Sequence, residues 1–288
     1  MRVAEWKDYS VIATGDGYKL EKWGNITLLR PDPQVIWKSD IDLDGYAGLH
    51  AKYIRSSTGG GKWNYKKKMP EEWIISYKNL RFKIKPMGFK HTGLFPEQAV
   101  NWDSMTDLIK NAGREISVLN LFAYTGGATV ACASAGASVC HVDSAKAMVE
   151  RAKENINLSG LNGANVRYIV DDCKKFVERE IRRGKKYDAI IMDPPSYGRG
   201  PNGEMWKLES ELYSLVELCE KVLSDNPLFF LINSYTTGLQ PQVMKNILER
   251  TIKSKHGGQT DAYEVGLKTE EQGVILPCGN SGIWINGK

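Results

Sequence analysis

The chain is 288 residues long, 42% hydrophobic and 25% charged, a composition that excludes a disordered or low-complexity protein. No apolar run approaches the roughly 20 residues that span a bilayer, and Met1 to Ser10 holds no apolar signal core. The net charge of +5 is uneven: residues 51–90 hold 11 Lys/Arg against 2 Asp/Glu, residues 1–50 hold 6 against 8, and residues 91–288 hold 22 against 24. One 40-residue stretch therefore carries more than the whole surplus, a field that suits a polyanion.

The five cysteines, Cys132, Cys140, Cys173, Cys219 and Cys278, are scattered without a CxxC pair and read as reduced thiols of a cytoplasmic protein. The four histidines are far apart, so no metal is expected.

Residues 1–90 read as a β-rich basic module. The runs 18–23 (YKLEKW), 26–30 (ITLLR) and 34–38 (QVIWK) are short strands between Gly-Asp-Gly and Pro-Asp-Pro turns. Asp40 to Gly45, DIDLDG, lacks the acid that closes a calcium loop and reads as a turn. Residues 57–68, STGGGKWNYKKK, read as a loop, and residues 73–85 as one or two strands. Lys62, Lys66, Lys67, Lys68, Arg81, Lys83 and Lys85 alternate there with Trp63, Tyr65, Trp73 and Phe82. Cations that neutralise phosphate beside aromatics that stack on bases suit looped RNA.

From about residue 115 strands alternate with helices. Strands are expected over 116–122, 137–143, 165–170, 187–193 and 227–234, and helices over 128–136, 144–160, 174–184, 208–223 and 241–254. Two closing strands follow at 261–268 and 282–287. This regularity predicts an α/β fold, a parallel sheet with helices on both faces, occupying residues 91–288. Ligands in such sheets bind beyond the carboxyl ends of the strands, where the strand order reverses.

Three motifs fall at such ends. The first strand runs into Phe122, Ala123, Tyr124, Thr125, Gly126 and Gly127, a tight turn without the GxGxxG that seats a pyrophosphate, which favours a cofactor without phosphate. The second ends in Asp143 and Ser144, where an acid accepts from ribose hydroxyls. The third runs into Asp172 and Cys173, where a carboxylate can accept from an adenine amino group. The fourth ends in Asp193-Pro194-Pro195-Ser196-Tyr197, where proline removes backbone donors and leaves carbonyls facing an acceptor.

On NLFAYTGG, the VDS at Val142 to Ser144 and DPPSY, residues 90–288 resemble the class I S-adenosylmethionine (SAM)-dependent methyltransferases. They most resemble the subfamily of bacterial large-subunit ribosomal RNA methyltransferases. His91 to Gln98, HTGLFPEQ, resembles the segment that precedes the glycine turn in that family and helps close its cofactor pocket. The amino-terminal GDGYKLEKWG and RPDPQVIW resemble uncharacterised members of the same family, without a match to a separate RNA-binding domain.

The resemblance implies a Rossmann-like methyltransferase sheet, SAM as cofactor and RNA as partner. The cofactor residues would be Phe122 to Gly127, Asp143, Ser144, Asp172, Cys173 and Asp193, with Asp193, Pro194 and Tyr197 at the acceptor. Asp193 and the Pro194 carbonyl would hold an amine by its hydrogens and aim its lone pair. Cytosine-C5 relatives carry a nucleophilic cysteine after the fifth strand; Asn233 to Gly238 has none, so a base nitrogen is the expected acceptor. Cys219 reads as core, and Gly198 to Trp206 either as a glycine-rich lid with Arg199 toward phosphate or as a disordered surface loop. A protein or small-molecule acceptor, and an RNA-binding protein that keeps SAM without turnover, stay open as alternatives.

Overall fold

A computed structural model describes residues 1–56, 60–88, 90–199, 205–270 and 273–287. It divides into two compact units: residues 3–99 with 266–278, and residues 1–2 with 100–265 and 279–288.

The first unit holds β2 (Tyr9–Gly15), β3 (Tyr18–Trp23), β4 (Ile26–Pro31), β5 (Ala51–Arg55) and β6 (Gly61–Tyr65), in that order, after the short β1 (Arg2–Val3) of the other sheet. A separate hairpin pairs β7 (Trp73–Tyr77) with β8 (Leu80–Ile84). The sheet core is Ile12, Ala13, Leu20, Leu29, Leu43 and Leu49.

Two expectations change here. Residues 61–65 are not loop but β6, paired antiparallel to β5 from Ala51↔Tyr65 to Arg55↔Gly61. Residues 34–38 are not a strand; the Val35 and Trp37 carbonyls accept from Gly17 and Asp16 and close the β2–β3 turn. Asp40 to Gly45 is a turn, its Gly45 N–H donating to Asp42 Oδ1 at 3.0 Å.

The unit boundary also moves from 90/91 to 99/100. Arg30 donates to the Lys90 carbonyl (3.0 Å) and Trp6 to the Pro96 carbonyl (3.0 Å), which ties residues 90–98 to the amino-terminal strands. Residues 266–278 return to the same unit, where Glu270 N–H donates to the Val11 carbonyl.

The second unit carries α1 (Ala99–Asn111), β9 (Ser117–Leu121), α2 (Gly127–Ser134), β10 (Ser138–Asp143), α3 (Lys146–Leu158) and β11 (Val166–Val170). It continues with α4 (Cys173–Arg182), β12 (Ala189–Met192), β13 (Tyr197–Arg199), β14 (Met205–Lys207), α5 (Leu208–Glu220), β15 (Phe229–Ser234) and α6 (Pro241–Leu248). A π turn (Glu249–Lys253), α7 (Ser254–His256), β16 (Gln259–Lys268) and β17 (Ile275–Ile285) follow, residues 266–268 of β16 and 275–278 of β17 being counted with the first unit. The sequence reading assigned no element to α1, whose Trp102, Met105 and Ile109 lie buried at helical spacing.

The sheet order is β1-β16-β17-β15-β12-β9-β10-β11. Strands β9, β10, β11, β12 and β15 are parallel, and β17 runs antiparallel to β15. The order reverses at β9, which has β10 on one side and β12 on the other. β12, Ala-Ile-Ile-Met, is buried throughout, as a central strand covered on both faces must be. Leu119, Leu121, Cys140, Val142, Ile190 and Met192 pack under α4 and α5 on one face. Helices α2 and α3 pack on the other side of β9–β11.

Candidate active site

Parallel register sets the strand ends side by side: Leu121 lies opposite Val142 and Met192, and Asp143 opposite Val170. The turn after β9, the acids after β10 and β11 and Asp-Pro-Pro after β12 thus share one edge of the sheet.

The turn is held by its neighbours. Phe122 (φ +54°) and Tyr124 (φ +49°) occupy the left-handed region, which costs a non-glycine residue roughly 1–2 kcal/mol each. Phe122 N–H donates to Cys173 Sγ (3.2 Å), Ala123 N–H to the Val142 carbonyl (3.1 Å) and Tyr124 N–H to Asp143 Oδ2 (2.8 Å). Asn155 donates to the Thr125 carbonyl at 2.8 Å. Gly126 (φ +82°) caps α2; a Cβ there would meet Ala152 Cβ at 2.8 Å, and one on Gly127 would meet the Trp102 ring at 2.7 Å. These two glycines thus also serve packing within the protein, beside the tight turn expected of them. Beneath them Asn120 donates to Thr129 Oγ1 (2.9 Å), which in turn bonds His141 Nδ1 (2.9 Å), and His141 Nε2 is buried with no partner among the described residues. Burial lowers the His141 pKa to about 4.

Asp143 receives Tyr124 N–H on Oδ2 and Ala145 N–H on Oδ1 (both 2.8 Å), so it fixes the turn and the start of α3 together. A carboxylate has about four acceptor sites, which leaves about two for a ligand. Ser144 is exposed beside it. Asp172 is the N-cap of α4, its Oδ1 accepting Lys175 N–H at 2.9 Å, and Oδ2 makes no bond among those described. The Cys173 side chain is buried in the sheet core, burial pushes its thiol pKa up, and its sulfur accepts from Phe122 N–H. It acts on the site through the turn.

Asp193 is half-buried, with its N–H near the Leu121 carbonyl (3.4 Å). Pro194 is buried and Pro195, Ser196 and Tyr197 are exposed. Trp206 Nε1 donates to the Pro195 carbonyl (2.6 Å), so that carbonyl is already engaged within the protein. The Trp206 ring lies 6.1 Å from the Phe122 ring at 41°, which joins the acceptor loop to the glycine turn. Tyr197 is 52% exposed on β13 and donates to Met205 Sδ (3.2 Å). The aromatic side chain against the turn is therefore Trp206, which sequence reading passed over as the end of a glycine-rich loop. The lid expectation falls on residues 200–204 and the Arg199 side chain, outside the described residues.

Asn233, at the end of β15, accepts from Asn101 (3.1 Å) and Ser281 (2.8 Å) in a buried network, and Thr236 donates to Ser196 Oγ (2.6 Å). All five cysteines are buried, Cys219 completely, and burial pushes Cys132 up to about 12. Among the described residues no group of three metal-ligating side chains gathers and no helix is long and apolar enough to cross a membrane.

A profile of the S-adenosylmethionine-dependent methyltransferase family matches residues 48–254. The chain belongs to this family. The crystal structure of the SAM-dependent methyltransferase from Agrobacterium tumefaciens superimposes with a TM-score of 0.92 at 32% identity, covering 99% of this chain and 93% of that one. The ribosomal RNA large subunit methyltransferase K/L of Shewanella frigidimarina is 31% identical over 206 residues, 67% of this chain and 28% of that protein. Methyltransferase K of the large-subunit ribosomal RNA from Neisseria meningitidis serogroup B is 24% identical over 229 residues, 76% of this chain and 64% of that protein. The chain thus spans about a quarter of one curated relative and just under two thirds of the other. The family's cofactor is SAM, and the open acceptor sites of Asp143 and Asp172 beside a turn without a phosphate nest fit its ribose and adenine. In the amino-terminal unit three of the expected stacking residues are engaged within the protein: Phe82 is buried, and the half-buried Trp63 and Trp73 donate to the Met87 (2.8 Å) and Trp23 (2.9 Å) carbonyls. Tyr65 alone of the four is exposed.

Proposed function

We propose that this methyltransferase moves the methyl group of SAM to a base nitrogen of ribosomal RNA in the cytoplasm. The observation that carries the reading is Asp193-Pro194 at the edge shared with the glycine turn, in a protein whose thiols are buried. A cytosine-C5 reaction needs an accessible thiolate, and none of the five cysteines supplies one.

SAM, when bound, supplies an electrophilic methyl on a sulfonium sulfur. Asp143 would accept from the ribose hydroxyls, and Asp172 Oδ2 from the adenine amino group. At the acceptor, the Asp193 carboxylate and the Pro194 carbonyl each accept one hydrogen of an exocyclic amine, which turns the nitrogen lone pair toward the methyl. Orientation of that kind is worth up to about 7–11 kcal/mol in aligned intramolecular reactions. Trp206 walls the acceptor side, and Tyr197 remains a candidate to stack on the flipped base from the exposed hairpin.

The test is incubation with methyl-labelled SAM and unmodified ribosomal RNA, free and in large-subunit particles, followed by digestion to nucleosides and mass spectrometry. A labelled N-methyl nucleoside is the expected product. Labelled 5-methylcytosine overturns the nitrogen assignment. Absence of label in both substrates, with SAM bound, moves the acceptor to a protein or small molecule.

A further inference from the structure

The surplus at residues 51–90 is partly neutralised within its own unit. Asp44 pairs with Lys66 (2.7 Å) and Lys52 (3.2 Å), Glu72 with Lys83 (2.9 Å) and Glu71 with Lys85 (2.5 Å). The sheet unit holds a second excess that its overall balance conceals. Residues 174–186 carry seven Lys/Arg against Glu178 and Glu180. Glu180 is 1% exposed and bonded to Tyr187 (2.6 Å), so it faces the core.

Lys174, Lys175, Arg182, Arg183, Lys185 and Lys186 are all exposed. Lys174 pairs with Glu211 (3.7 Å), Arg183 with Glu180 (2.9 Å), and Lys186 donates to the Lys221 carbonyl (2.8 Å). Arg179 pairs with Asp171. Lys175, Arg182 and Lys185 pair with no acid among the described residues. Lys175, Arg179 and Arg182 stand at i, i+4 and i+7, one per turn of α4, about 5.4 Å apart along the axis. Lys185 and Lys186 continue past its end.

The helix dipole accounts for only part of this. It favours Arg179 and Arg182 in the last turn, but it opposes Lys174 and Lys175 in the first. Like charges one turn apart also repel by a few tenths of a kcal/mol each. An exposed row kept against both effects is complementary to a polyanion. No aromatic side chain is exposed between 174 and 186, so the row suits phosphates and reads no base. α4 packs beside α5, and α5 packs against β14 of the acceptor hairpin.

We infer that the outer face of α4 and the turn after it, centred on Lys175, Arg182 and Lys185, binds the phosphate backbone of the RNA substrate and holds it while a base enters the acceptor site. This rests on the RNA reading of the function. The test is the salt dependence of binding to a labelled ribosomal RNA fragment, for the full chain and for R182Q/K185Q, with SAM affinity measured by calorimetry on both. Each phosphate contact to a single strand contributes about 0.7 to the slope of log affinity against log salt. The double variant is expected to lose about 1.4 from that slope with SAM affinity unchanged, and the charge-keeping R182K/K185R to restore it. An unchanged slope in R182Q/K185Q overturns the inference, as does an equal loss in R182K/K185R, which would mark a structural effect. Wild-type protein that binds no RNA at any salt overturns the RNA reading itself, a result distinct from the other two.

Discussion

Asp193 and Gly126 show two different reasons for a residue to be indispensable at one edge of a sheet. Asp193 is half-buried and its proposed duty is to hold an acceptor amine. Asp193→Ala is expected to lower turnover by about 100-fold or more, since alignment of the acceptor amine goes, while SAM affinity changes by less than about threefold. Comparable losses in both would mean that Asp193 holds the cofactor instead. Gly126 acts before any ligand binds. Gly126→Ala combines a left-handed alanine with a Cβ 2.8 Å from Ala152, and about 2–4 kcal/mol of stability is expected to be lost in urea denaturation. The glycines and the aspartates stood out in the sequence because few residue types meet their demands. Trp206 and His141 did not, because a tryptophan at a loop end and a histidine in a strand have many ordinary explanations until their partners are known.

Among the elements, α4 joins the cofactor edge to the basic face. Its first residue, Cys173, anchors Phe122, and its cap, Asp172, is also the proposed adenine ligand. Two substitutions separate the cap from the ligand. Asp172→Ser keeps a capping oxygen and is expected to leave stability within about 0.5 kcal/mol while SAM affinity falls. Asp172→Ala is expected to lose about 1 kcal/mol of stability as well. Equal SAM affinity in wild type and Asp172→Ser would confine Asp172 to capping. The strand–helix alternation from 115 onward was legible because periods of 2 and 3.6 persist over several residues. β6 was missed because three glycines and a lysine run disguise a strand whose pairing comes from β5. α1 was missed because the polar Asn101, Asp103 and Ser104 around Trp102 mask the stripe that Trp102, Met105 and Ile109 form. The basic row on α4 was hidden by acids elsewhere in the same unit that cancel it in sequence and not in space.

At the scale of the whole molecule, each unit carries a titrating group that ties its stability to pH. His141 titrates at about 4 in the folded sheet unit because it is buried, against an ordinary value near 6.5. The unfolded chain therefore binds a proton below about 6.5 that the folded chain refuses until about 4, and stability falls across that window as pH drops. The loss should total about 3 kcal/mol, at about 1.4 kcal/mol per pH unit. In the other unit burial pushes Glu21 up, but Arg30 and Lys19 outweigh it and the carboxyl titrates at about 2. Its contribution is complete above about 4.5 and is lost as pH falls toward 2. Urea midpoints at pH 7.5, 5 and 3 should decline in two stages, and His141→Gln should flatten the upper one. An unaltered upper stage in that variant would remove His141 as its source.

By itself the sequence determined the strand–helix alternation from about residue 115 onward, the turn after β9, the acids that end β10 and follow β11, and Asp-Pro-Pro after β12. Those are local choices, written in periodicity and in residues with narrow conformational range. The tertiary structure decided which of them share an edge, because strand register is a property of pairs. It decided that residues 266–278 return to the amino-terminal unit, since the strand that receives them is about 260 residues earlier in the chain. It also decided which charges are spent on one another and which stay exposed, because an ion pair depends on distance in space and a net charge does not.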